Sequence, residues 1–179
     1  GQNYDETGNY RAAATYYDEG RRWHLTHPRP YVKERGDSDR LCCLGVATAC
    51  QVELRLLHGE SCGPQVSVAK AVAMMRSGKR PYLADYLLGI EHRNAKDYGK
   101  SLASYEQAAK GASDANDRTC QLKIAMAQAR VYKELGKYDE VRQLIHPLIR
   151  EHALGRMVQL VSRLQWFLQS LPKEEVMIT

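Results

Sequence analysis

The chain has 179 residues, 44% of them apolar and 26% charged, with a formal charge of +5. This is the length and composition of one folded globular domain rather than of a disordered chain. No apolar run approaches the roughly 18 residues of a membrane span, and the polar, acidic start "GQNYDETGNY" is unlike a signal peptide.

The five cysteines form no Cys-x-x-Cys pair. With an odd count and no secretory signal, they are expected to be reduced thiols in a cytoplasmic or nuclear protein. Cys42, Cys43 and Cys50 fall on one helical face, where buried packing explains them better than zinc. No metal and no cofactor is expected.

In chain order, apolar spacing of three and four predicts helices over 3–24, 38–58, 65–77, 81–93, 96–111, 117–134, 138–152 and 156–171. Pro28, Pro30 and Gly36 separate the first two. Gly59, Gly63, Pro64, Gly78, Pro81, Gly111, Gly136 and Gly155 mark the later breaks. Pro147 falls inside a predicted helix and should kink it or end it early. The last helix carries one apolar stripe and stops before Pro172. The tail 173–179 is expected to be flexible. No alternating strand pattern longer than four or five residues occurs.

Three stretches fit chemistry on paper. "GESCG" at 59–63 has the Gly-x-Ser-x-Gly form of a nucleophile elbow, but that motif needs a strand before Ser61 and a helix after it. The preceding "QVELRLLH" reads as the end of a helix, so a loop is expected. His24 and His27 could share a metal on one helical face, but no third ligand accompanies them and Pro28 breaks the helix. The segment 21–35, "RRWHLTHPRPYVKER", interleaves Arg21, Arg22, Arg29 and Lys33 with Trp23 and Tyr31, a composition that can stack on bases and hold phosphates. Its plainer reading is a polar connector with Trp23 packed back on the helices.

The strongest pattern is a repeat. "GNYRAAATYYDEG" at 8–20, "KDYGKSLASYEQAAK" at 96–110 and "GKYDEVRQLIHPLI" at 136–149 each place a Tyr after a turn residue, with small or apolar residues three and seven further on. These are Tyr10, Ala13 and Tyr17; Tyr98, Ser101 and Tyr105; Tyr138, Val141 and Ile145. Upstream, Gly45, Gly89 and Ala129 stand at intervals of 44 and 40. A small residue there lets two helices cross closely, and His92 or Tyr132 three further on can fill the adjoining hole. Intervals of this size belong to stacked helical hairpins.

In these residues the chain resembles the tetratricopeptide repeat family, over about four-fifths of its length. The departures are Asp85 and Ala125 for the family's Trp, Gln128 for Leu, His92 and Thr48 for Tyr, and a period longer than 34. The resemblance implies an all-α, right-handed α-α superhelix of antiparallel hairpins over 1–172, closed by a C-terminal capping helix. Because Tyr4 already holds the place of Tyr132, the first unit starts at its own middle, as in a piece of a longer protein.

The resemblance also implies a function: a non-catalytic protein-interaction module, part of a scaffold or regulator, whose first helices line a groove. The groove phase selects Leu83, Tyr86, Leu87, Ile90 and Arg93, then Lys123, Met126, Ala127, Arg130 and Lys133. In the earlier helix it selects Asp39, Cys42, Cys43, Val46 and Ala49. The pattern that grips chaperone C-termini is absent, since only Lys123 resembles a clamp lysine. The expected partner is a peptide or protein with apolar anchors and acidic residues. The alternative is a nucleic-acid-binding helical repeat using 21–35.

Overall fold

The computed structural model describes residues 8–26, 36–60, 63–152 and 158–172. These form eight helices with no β-structure: α1 (Tyr10–Thr26), α2 (Gly36–His58), α3 (Val68–Arg76), α4 (Tyr82–Asn94), α5 (Tyr98–Asp114), α6 (Arg118–Glu134), α7 (Tyr138–His152) and α8 (Val158–Gln169). Each predicted helix has its counterpart, and the architecture is that of paired helices in a helical-repeat style. The chain divides into two compact units, Gly1–Asp117 and Arg118–Thr179.

In the first unit α4 and α5 form the most regular hairpin. Gly89 lets them touch: a Cβ there would run into the ring of Tyr105, which is fully buried. Ser101, also buried, donates from Oγ to the Gly89 carbonyl at 2.7 Å. The residues seven and three past Tyr98 in the repeat are thus the contact itself. Gly111, expected to be a break, lies inside α5. A Cβ on it would approach the Tyr82 Cβ to 2.7 Å, so its smallness serves helix packing rather than a turn.

The helix described as α1 begins at Tyr10. Gly8 has φ +83° and Asn9 caps the helix, its Oδ1 accepting from the Ala12 N–H at 3.2 Å. Residues 3–7 of the expected helix, with Tyr4, lie outside the described residues. Ala13, Ala14 and Tyr17 pack with Leu54 of α2, and Tyr10 stacks on His58 with ring centroids 3.6 Å apart.

The second unit builds its core from Leu122 and Ala129 of α6, Val141 and Ile145 of α7, and Leu164, Phe167 and Leu171 at the chain's far end. Ala129, Val141 and Ile145 repeat the spacing of Gly89, Ser101 and Tyr105. α7 continues past Pro147 to His152, so the helix does not end early. Pro147 and Gln143 both lie on the exposed side, where water can serve the Gln143 carbonyl that the missing N–H leaves without its helical donor.

Three successive turns share one construction. At 96, 116 and 136 the backbone takes φ of +60°, +51° and +72°. In each, the next N–H reaches back five residues to a carbonyl: Asp97 to His92, Asp117 to Ala112 and Lys137 to Tyr132, all at 2.9 Å. This is the Schellman helix stop, repeated every 20 residues. Gly136 suits it, whereas Lys96 and Asn116 occupy it at a steric cost.

Candidate functional site

No strand precedes "GESCG". α2 runs to His58, and Gly59 closes it with φ +71° and an N–H bonded to the Arg55 carbonyl at 3.0 Å. The elbow geometry is therefore missing on the upstream side; Ser61 and Cys62 lie outside the described residues. Gly63 instead lies against the Asp18 carboxylate, closely enough that a Cβ would collide with it.

Asp18 is a fully buried ionisable group. Its side chain is buried and accepts from Arg21 Nη2 at 2.8 Å, Arg22 Nε at 2.7 Å and Gln51 Nε2 at 3.2 Å. Burial pushes its pKa up, but the hydrogen bonds from Arg21, Arg22 and Gln51, with the Arg22 charge, together hold it below the ordinary carboxylate value. This pairing bears on the basic 21–35 segment. Arg21 and Arg22 both bond Asp18, which offsets one of their two charges, while Arg29, Tyr31 and Lys33 lie outside the described residues, as does His27. Trp23 is exposed and stands edge-on to His24 at 5.1 Å.

The groove residues selected by sequence fall into two kinds. On α4, Tyr86, Leu87 and Ile90 are interior side chains, 4%, 1% and 0% exposed. Tyr86 donates to Glu53 Oε1 of α2 at 2.8 Å and meets the Tyr105 ring at 6.0 Å. Their helical spacing marks a packed face, which leaves almost none of their surface open. Leu83 and Arg93 at its margins are half-buried. On α2, Cys43 is exposed, Val46 half-buried and Ala49 buried; the side chains of Asp39 and Cys42 lie outside the description.

On α6 the same phase gives a different surface. Lys123, Met126, Arg130 and Lys133 are all half-buried and share one face, while Ala127 is buried beside them. Met126 packs on the second unit's core. Lys133 donates to Ser170 Oγ at 3.2 Å and lies 5.1 Å from the centroid of the Phe167 ring, a cation–π contact that fixes it against the end of α8.

Sequence reasoning missed Trp166. It stands off the apolar stripe of α8 and is 70% exposed, the most open large apolar side chain described. The signal was present: α8 opens at Val158, 40 residues after Arg118 opens α6, the interval already found between Tyr98 and Tyr138. Exposed charge pairs complete the surface. A hydrogen bond from Lys100 holds the Asp97 carboxyl below its ordinary pKa and raises that of Lys100 in return.

Among the described residues no three His, Cys, Asp or Glu side chains are placed to share a metal ion, and no helix is long and apolar enough to cross a membrane. Compared with protein-family models, with curated proteins and with solved structures, the chain matches none of them.

Proposed function

We propose that the chain is a non-catalytic interaction module built from tetratricopeptide-like hairpins, with no cofactor, working in the cytoplasm or nucleus as part of a scaffold or regulator. Its partner is a protein or peptide with acidic residues and apolar anchors. The observation that carries this reading is the α6 row, where Lys123, Arg130 and Lys133 flank Met126 on one partly open face. Cations around an apolar patch attract an acidic chain and orient it, and burial of the patch then slows release. The buried α4 residues Tyr86, Leu87 and Ile90 shape the hairpin that presents Leu83 and Arg93. The nucleic-acid alternative is weakened because the buried Asp18 carboxylate engages both Arg21 and Arg22 and offsets one of their two charges.

The reading is checked by stopped-flow binding of a short Glu-rich peptide carrying Leu and Phe, at several salt concentrations, beside a single-stranded oligonucleotide. Arg130→Glu is expected to slow peptide association severalfold and flatten its salt dependence. Peptide association indifferent to both salt and Arg130→Glu, or binding of the oligonucleotide alone, would overturn it.

A further inference from the structure

The inference deepens the partner-binding reading and rests on it. In the 40-residue phase, Arg163 of α8 stands where Lys123 stands on α6, and Trp166 where Met126 stands. The positions that hold buried Leu122, Ala125 and Ala129 on α6 become Ser162, Gln165 and Gln169, all exposed. On α6, Leu122 and Ala129 belong to the core shared with α7. With polar residues in their places, α8 has no second apolar face beyond the Leu164 and Phe167 side that packs on the core. Trp166 is not part of that exchange. It stays large, apolar and open.

The indole also has a charged setting. Lys133 of α6 reaches Phe167, next to Trp166 in the chain, and Ser170, four residues beyond Trp166, so the two rows adjoin within one unit. α6 and α8 together carry Arg118, Lys123, Arg130, Lys133 and Arg163 against the single acid Glu134.

We propose that Trp166 is the apolar anchor of a partner-binding surface made by α6 and α8, and that its partner is an acidic protein segment bearing one aromatic or aliphatic side chain. Tryptophan and arginine are the residue types that dominate binding energy when a partner buries them. The cations supply the complement for Asp and Glu on either side of the buried contact. A single-stranded nucleic acid would meet the same charge, but it gains affinity from successive aromatic platforms, and here one indole is followed along the exposed face by Ser and Gln.

The test is fluorescence anisotropy on the full chain with a labelled Glu-rich peptide carrying Leu and Phe, its Gln-for-Glu counterpart and a labelled oligothymidine. The Glu peptide is expected to bind, the Gln peptide to bind much more weakly, Trp166→Ala to weaken binding about tenfold or more, and Trp166→Phe to keep most of it. Circular dichroism should be unchanged in both variants, because the side chain is exposed. If the peptide binds Trp166→Ala as well as wild type while Arg130→Glu still slows it, this inference fails and the broader reading survives. No binding by the wild-type chain sinks both. Preference for the oligothymidine, or a concentration-dependent dimer that Trp166→Ala abolishes, overturns the proposed partner.

Discussion

Two residues show how closely side-chain size and charge are set. Alanine is a better helix former than glycine by about 1 kcal/mol, yet at Gly89 its methyl would enter the buried Tyr105 ring. Overpacking against an immobile ring costs about 1–3 kcal/mol, so the clash wins and Gly89→Ala should lower the melting temperature. A rise in melting temperature would show that the α4–α5 contact has room for a methyl group. Asp18 is constrained by charge. Asp18→Asn leaves Arg21 buried beside a weaker acceptor, and loss of one partner from a buried pair costs about 3–5 kcal/mol; chemical denaturation should read a loss of that order. Because the folded carboxyl titrates below its unfolded value, its stabilisation is complete above the unfolded pKa, near pH 4, and disappears as pH falls through the lower folded pKa. Below that range the wild type and Asp18→Asn should converge in stability; a gap that persists in acid would mean that Asp18 acts through packing alone.

At the scale of elements, the three Schellman turns are the regular feature, and they offer a graded comparison. Lys96 and Asn116 stand in the left-handed region that glycine adopts without strain, and the third turn has Gly136 there. Lys96→Gly should therefore stabilise the fold by about 0.5–1 kcal/mol, Asn116→Gly by less because Asn tolerates this region, and Gly136→Ala should destabilise by about 1 kcal/mol. Thermal melts of the three variants check the order, and equal effects at 96 and 116 would count against the steric explanation. The α4 row gives the sharper contrast with an exposed surface. Ile90→Ala should cost about 2–5 kcal/mol, and Tyr86→Phe about 1 kcal/mol for the bond to Glu53. A groove-lining residue would show neither loss. Unchanged melting in Ile90→Ala would return that face to the partner.

For the whole molecule, charge is unevenly shared. Residues 1–117 have sixteen Lys and Arg against fifteen Asp and Glu, whereas 118–179 have ten against six. Long-range steering of an acidic partner should therefore come mainly from the second stretch. Arg130→Glu should slow association with the Glu-rich peptide more than Arg93→Glu does, with the difference vanishing at high salt. Equal slowing by the two changes would place the binding face elsewhere.

The sequence by itself determined the helices and their order, because period, caps and breakers act over a few residues. It also exposed the spacing of Gly89, Ser101 and Tyr105, which repeats as Ala129, Val141 and Ile145. It could not say which side of a helix remained open. Tyr86, Leu87 and Ile90 have the same helical spacing as Met126 and Arg130, and spacing is blind to what lies opposite. Only packing decided between them: α2 and α5 bring Glu53 and Tyr105 to Tyr86, while the α6 row keeps part of its surface in solvent. Gly111 changed from an expected turn to a close contact for the same reason, since Tyr82 arrives from 29 residues away. Trp166, too, was visible as a residue but not as a surface, because exposure belongs to the folded neighbours as much as to the side chain.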